Sequence, residues 1–197
     1  MIHWHIHELF ITKYIKDGDR VIELGDQFIN IDQKRQGTPD KPLVSRDFYE
    51  GIEIISIDIN GEHGALPLDL GKTIKKDDLV APGDVLTDFG TIEHVKSLYF
   101  GLKNAFTLLK DGGIAIHVNP LSGLYKANHG FHYFNPDFWT AFCDLAKLEL
   151  IELRQIAAYH NERDGWEQYA VYKKLPTSKF PTKKAFDNLY KLHITKA

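Results

Sequence analysis

Acidic side chains stand at the ends of the short apolar runs of this sequence. Glu23 lies inside the first run, and Asp58, Asp69 and Asp88 come at or near the ends of the next three. If these runs are neighbouring parallel strands, their carboxyl ends meet at one edge of a sheet, where such sheets bind ligands. Four carboxylates together would be costly without a cationic or hydroxyl-rich ligand. The pattern therefore favours a ligand that carries a ribose and a positive charge.

Four histidines are candidates for acid–base chemistry near neutral pH. His94 follows the fourth run, at the same predicted edge, and His129 and His132 lie among aromatic residues in the loop 121–135. His117 alternates with its neighbours inside a predicted strand, which indicates a structural role. We take His94 and His129 as the candidate catalytic residues. The alternatives are that His94 bonds backbone in the first turn of a helix and that the loop is only packed.

Three further histidines alternate at the N-terminus, at positions 3, 5 and 7. On a strand they would share one face, which is a spacing that can bind a metal. Only Glu8 is near enough in sequence to complete such a site. We therefore expect no metal there.

The composition is that of an ordinary globular domain. The chain has 197 residues, 43% of them hydrophobic, with a formal net charge of −3 and a single cysteine. This length predicts one domain, and the negative charge disfavours a protein that grips nucleic acid through its overall field. No apolar run approaches the ~18 residues of a membrane span, and no signal peptide is evident. We expect a cytoplasmic protein whose Cys143 is a core residue of a helix.

The last residues are strongly basic. The segment 173–197 contains seven lysines and one acid, Asp187. Such runs usually form solvated faces, so 176–197 is expected to be a basic extension with a short helix over 184–192. The alternative is an arm that binds anions.

Strands alternate with helices along the rest of the chain. Strands are expected over 20–24, 52–59, 65–70, 84–89, 114–118, 148–156 and 168–173. Apolar residues at three- and four-residue steps predict a helix over 95–109, with Thr91 as its N-cap. A second helix starts at Asn135-Pro136-Asp137, and a very short one lies at 45–50. Short apolar strands separated by helices imply a mostly parallel sheet covered on both faces.

Several segments of the chain resemble the motifs of a known family. Residues 21–25 (VIELG) are similar to the first motif of class I S-adenosylmethionine-dependent methyltransferases, and 57–59 (IDI) to the second. Residues 84–95 (DVLTDFGTIEHV) resemble the motif of the fourth strand, and 108–113 (LLKDGG) the turn before the fifth. The resemblance covers about 16–173.

This resemblance implies a fold, a cofactor and a site. The fold is α/β, a seven-stranded Rossmann-like sheet, mostly parallel with an antiparallel last strand and helices on both faces. It forms one domain over 1–175. The cofactor is S-adenosylmethionine, with an acid on the ribose, the next residue on the adenine and a further acid at the adenine amino group. The implied cofactor-binding residues are Glu23, Gly25, Asp58, Ile59, Asp69, Leu70, Asp88, Phe89 and Gly90. Asp26 and Gln27 replace small residues of the first motif, at the methionine end.

Motifs that would indicate other classes of enzyme are missing from the sequence. The glycine fingerprint of nicotinamide dehydrogenases and the phosphate-binding P-loop are both missing. The proline-containing motif of DNA amino-methyltransferases is missing after the fourth strand, and only Glu93 stands where arginine methyltransferases carry two glutamates. We therefore expect O- or N-methylation of a small molecule, with specificity in the loops 28–49 and 121–135. Two alternative functions stay open: a non-catalytic domain that binds a nucleoside or a partner, and a nucleic-acid methyltransferase. A homodimer is also an open alternative.

Overall fold

The computed structural model describes residues 2–3, 12–30, 43–75, 78, 80–125, 129–157 and 165–196. The helices are α1 (Thr12–Tyr14), α2 (Ser45–Phe48), α3 (Leu98–Leu108), α4 (Phe138–Ala146) and α5 (Lys183–His193). The strands are β1 (Ile2–His3), β2 (Arg20–Leu24), β3 (Phe28–Asn30), β4 (Leu43–Val44), β5 (Glu53–Ile57), β6 (Gly83–Phe89), β7 (Leu109–Tyr125), β8 (His132–Phe134), β9 (Glu149–Ala157), β10 (Gly165–Lys173) and β11 (Ile194–Lys196). His5 and His7 of the N-terminal metal hypothesis lie outside the described residues.

The central sheet is mostly parallel, as predicted. Its strands lie in the order β5-β2-β6-β7-β10-β9, and only β10 runs opposite to the others. Leu24 is level with Ile57 on one side and with Asp88 on the other. The carboxyl ends of β2, β5 and β6 therefore form one edge, which brings the predicted acidic positions into one region.

The sheet has more strands than the predicted seven. Eight strands are joined, because β8 pairs with β7 through Leu121 and Phe134, and β11 pairs with β8. A separate small sheet contains β1, β3 and β4. The strand expected at 65–70 is reduced to one bridge between Ile57 and Leu66. Pro67 follows directly and has no N–H to continue a ladder.

Several element ends differ from the sequence prediction, among them the helix start expected at Asn135, since this helix begins at Phe138 with Asp137 as its N-cap. The fifth strand of the prediction, 114–118, is part of the longer β7, which begins at Leu109. Helix α3 begins at Leu98 rather than near Val95, and its N-cap is Ser97, whose hydroxyl accepts from the Phe100 N–H. Thr91 is therefore not the N-cap of this helix.

The core lies on both faces of the sheet because side chains alternate along each strand. One face packs under α3, α4 and α5 and includes Ile22, Leu102 and Trp139. The opposite face is smaller and includes Val21 and Val85. No helix among the described residues is long and apolar enough to cross a membrane.

The basic C-terminal segment packs against the same core. The N-cap of helix α5 is Thr182, whose hydroxyl accepts from the Ala185 N–H. It buries Phe186, whose ring centroid lies 5.4 Å from that of Tyr99. Ile194 then pairs with Phe134 in β8. The helix that was expected over 184–192 thus contributes apolar side chains to the folded unit, while its lysines remain at the surface.

Replacing Phe186 by alanine is expected to lower the free energy of unfolding by about 3–5 kcal/mol, the usual cost of emptying a buried phenylalanine site. Leu192→Ala on the same helix is the control, because Leu192 is 71% exposed and such surface changes stay within about 0.5 kcal/mol. Urea unfolding followed by circular dichroism measures both. Equal, small effects would show that α5 does not stabilise the core.

Candidate functional site

A pocket of about 480 Å³ opens at the carboxyl edge of the sheet, between the ends of β5 and β6. Five of the nine residues expected to bind cofactor line it: Asp58, Ile59, Asp69, Leu70 and Gly90. His94 lines it as well. The lining also includes side chains that the sequence analysis did not single out for this role, among them Lys72, Thr91 and Phe131.

The two acids of the pocket are held in place by backbone and by a lysine. Asp58 accepts hydrogen bonds from the Asp26 N–H at 3.0 Å and the Asn60 N–H at 3.2 Å. Asp69 accepts from the Gly71 N–H at 2.8 Å and pairs with Lys72 at 2.9 Å. The hydrogen bond from Lys72 lowers the pKa of Asp69. This acid is therefore ionised at neutral pH.

Two apolar side chains that line this pocket are exposed. Ile59, next to Asp58, is 71% exposed, and Phe131 is 49% exposed. Exposed apolar surface beside fixed carboxylates suits a ligand that combines a flat ring system with hydroxyl groups. The carboxylate acceptors and the apolar side chains of the pocket therefore fit a nucleoside.

Glu23 is not among the residues that line the pocket. Its carboxylate is buried and accepts from the hydroxyls of Ser45 at 2.5 Å and Ser56 at 2.6 Å. Burial raises the pKa of Glu23, while these hydroxyls lower it. Ser45 begins α2 and Ser56 lies on β5. Glu23 therefore ties the end of β2 to both neighbouring segments.

Gly25 is also outside the pocket lining, because two side chains cover it. Its φ is +79°, and a Cβ built there would lie 2.4 Å from the Thr91 hydroxyl oxygen and 2.9 Å from the Gln27 amide nitrogen. Both side chains donate to the Leu24 carbonyl, Thr91 at 2.8 Å and Gln27 at 3.1 Å. Glycine is thus required here by a close approach as well as by backbone conformation.

Asp26, which departs from the first motif, contacts two basic side chains. One carboxylate oxygen lies 2.6 Å from the Arg46 guanidinium, and the other lies 2.6 Å from Nδ1 of His63. The Asp26 side chain is only 4% exposed. The acid therefore links the first loop to α2 and to the turn after β5, which sequence spacing could not show.

Asp88 is fully buried and does not reach the pocket. One carboxylate oxygen accepts from the backbone N–H groups of Thr91 and Ile92, both at 3.1 Å. The other oxygen bonds Nδ1 of His117 at 2.8 Å and the amide of Asn119 at 3.0 Å. These bonds fix the turn that follows β6. The next residue, Phe89, packs into the core of the opposite face of the sheet.

His94 and His129 lie together beside Glu93. Their ring centroids are 4.8 Å apart. The Glu93 side chain is 1% exposed, and its Oε1 lies 3.6 Å from Nε2 of His129 and 3.9 Å from Nε2 of His94. We call Glu93, His94 and His129 the Glu–His–His cluster. Burial raises the pKa of the nearby Glu167, on β10, to about 7. The Glu93 carboxylate adds to this increase, and His129 opposes it.

The other two histidines are engaged within the fold. His117 is buried between Asp88 and the Tyr172 hydroxyl, which lies 3.3 Å from its Nε2. His132 bonds the Tyr190 hydroxyl at 2.8 Å and the Val95 carbonyl at 2.9 Å. Both ring nitrogens of each residue thus face protein partners, which fits positioning rather than proton transfer.

Solved structures are similar to this chain. The O-methyltransferase from the trans-AT PKS multienzyme of Brevibacillus brevis, in complex with S-adenosyl-L-homocysteine, is 12% identical, with a TM-score of 0.59 and coverage of 95% of this chain and 77% of that one. The chain has the class I methyltransferase fold. A search of protein-family models and a search of curated proteins found no match.

Other structures with this likeness differ in the reaction that their names give. The 1,6-didemethyltoxoflavin-N1-methyltransferase of Burkholderia thailandensis, with bound S-adenosylhomocysteine, is 10% identical, with a TM-score of 0.56 and coverage of 87% and 76% of the two chains. The [4+2]-cyclase SpnF is also 10% identical, with a TM-score of 0.51 and coverage of 87% and 81%. At such identities the likeness concerns the fold, and the reaction has to be argued from the site.

Gly25→Ala is expected to destabilise the protein more than Gly18→Ala. Gly18 also has a positive φ of +85°, but a Cβ there meets no atom within 4 Å. The Gly18 variant therefore measures backbone strain, about 1–2 kcal/mol, and the overlap with Thr91 should add about 1–3 kcal/mol at Gly25. Chemical denaturation gives both values. Equal losses would contradict the packing of Thr91 over Gly25.

Proposed function

We propose that the protein transfers a methyl group from S-adenosylmethionine to an oxygen or nitrogen of a small molecule. The observation that carries this proposal is the Asp58 carboxylate, which lines the pocket at the carboxyl end of β5 with exposed Ile59 beside it. A carboxylate at this place in a parallel sheet can accept both hydroxyls of a ribose. The fold and the names of similar structures support the same cofactor.

The pocket residues divide between the parts of the cofactor. Asp58 would accept the ribose hydroxyls, and Ile59 and Leu70 would pack against the adenine. Asp69 would accept from the adenine amino group, with Gly90 forming the adjoining wall. When bound, S-adenosylmethionine supplies a methyl group on a positively charged sulfur, and the carboxylates of Asp58 and Asp69 in the pocket favour that charge.

The other four residues expected to bind the cofactor would instead hold the surrounding strands and turns in position. Glu23 holds β2 against its neighbours, and Gly25 admits Thr91 and Gln27 to the first loop. Asp88 fixes the turn that carries Thr91 to His94, while Phe89 anchors the end of β6. These are positioning roles in our proposal.

The acceptor would lie at the Glu–His–His cluster. His94 and the exposed ring of Phe131 both line the pocket, so a small molecule there would contact imidazole and aromatic surface together. A neutral imidazole of His94 or His129 can take the proton that leaves the acceptor during transfer. Cys143 is buried, which raises the pKa of its thiol to about 12, so a cysteine nucleophile is not part of this mechanism. A buried, unpaired thiol also fits the cytoplasmic location that we propose.

Asp58→Ala is expected to weaken binding of S-adenosylhomocysteine by at least about tenfold, because a charged hydrogen bond contributes about 1.5–3 kcal/mol. Isothermal titration calorimetry measures this affinity. Asp144→Ala, at an exposed position on α4, is the control and should bind like the unchanged protein. Circular dichroism checks that both variants are folded. Full affinity of a folded Asp58→Ala variant would refute the assignment of the ribose site.

A further inference from the structure

The Glu–His–His cluster has the composition and spacing of a metal site. One ligand atom from each of Glu93, His94 and His129 lies within 4.8 Å of the other two. The distances of 3.6 and 3.9 Å from the Glu93 oxygen to the two imidazoles are too long for hydrogen bonds. Two ligand atoms bound to one ion at 2.0–2.2 Å each lie roughly 3–4 Å apart. The two carboxylate–imidazole distances therefore match those between ligands of one cation.

The carboxylate is oriented toward the two rings by an amide. The Asn119 amide donates to Oε2 of Glu93 at 3.3 Å and to Asp88 at 3.0 Å. Oε1 of the same carboxylate is the atom that faces both imidazoles. Partners of this kind, which bind a ligand residue rather than the ion, set the orientation of metal ligands in proteins.

The loop that carries His129 is attached to the backbone of Glu93. The Phe131 N–H donates to the Glu93 carbonyl at 2.8 Å. Gly130 packs against the same group, since a Cβ there would lie 2.9 Å from that carbonyl oxygen. The His129 N–H donates to the Tyr133 hydroxyl at 2.7 Å. These contacts place His129 above the carboxylate and next to His94, although the two histidines are far apart in sequence.

We propose that Glu93, His94 and His129 bind a divalent transition-metal ion, such as Zn²⁺ or Fe²⁺. Two imidazoles and one carboxylate are a donor set that these ions favour, and three protein ligands leave positions open for another molecule. His94 lines the pocket, so a bound ion would lie at the pocket wall.

A consequence for the acceptor rests on the proposed function. A hydroxyl oxygen that binds such an ion releases its proton to water more readily than a free hydroxyl. With the ion bound, the two histidines would be its neutral ligands, so the acceptor proton would pass to water instead of to an imidazole. The preferred acceptor would be a hydroxyl group able to reach the ion. The metal site itself does not depend on methyl transfer.

The test is a titration of the full, chelator-treated chain with Zn²⁺ by calorimetry and with Co²⁺ by visible absorption. Because His3, His5 and His7 could bind metal independently, the titration uses a chain in which all three are replaced by asparagine. We expect one equivalent of metal per chain. Both His94→Ala and His129→Ala in that background should weaken binding at least about tenfold. His193→Ala should not, because His193 contacts Asp137 instead of the cluster.

Two results would overturn the metal site: no binding by the chain that keeps the cluster, or unchanged binding after both His94→Ala and His129→Ala. Circular dichroism shows that the variants are folded. A thermal shift with S-adenosylhomocysteine on the same samples separates the two proposals. Metal binding without a nucleoside shift would leave the metal site standing and refute the proposed cofactor, and the reverse result would refute the metal site alone.

Discussion

The buried carboxylate of Asp88 organises the functional edge of this protein. A buried charge is costly unless hydrogen bonds compensate it, and Asp88 has four partners, two backbone N–H groups and the side chains of His117 and Asn119. These partners come from the turn after β6 and from β7. The same carboxylate thereby fixes the turn that carries Glu93 and His94 and orients the amide that holds Glu93.

The edge of the sheet joins two neighbouring chemical environments. The first is the pocket with Asp58 and Asp69, whose fixed acids and exposed Ile59 suit a nucleoside. The second is the Glu–His–His cluster, which suits a metal ion and an acceptor oxygen. Thr91 lines the pocket and belongs to the turn that carries Glu93 and His94. Its backbone N–H donates to Asp88, and its hydroxyl donates to the Leu24 carbonyl at the first loop. The conformation of this turn therefore affects both environments.

The sequence predicted those features that depend on local pattern. Strand runs, the helix start near Asn135 and the acids after β5 follow from periodicity and from the rule that ligands bind at carboxyl ends. It could not predict which way a side chain turns. Asp88 and Asp58 have similar sequence settings, yet one points into buried hydrogen bonds and the other lines the pocket. Likewise, the basic composition of 176–197 indicated a solvated extension, although its helix buries Phe186 in the core.

The most direct test of the proposed cofactor site is a thermal shift of the unchanged protein, measured with S-adenosylmethionine, S-adenosylhomocysteine and NAD side by side. A ligand at 100 times its dissociation constant adds about 2.7 kcal/mol to the free energy of unfolding, which is roughly 5–10 °C for a domain of this size. We predict this shift for the two sulfur nucleosides and none for NAD. No shift with the sulfur nucleosides, or a shift with NAD alone, would contradict a site for S-adenosylmethionine at this edge of the sheet.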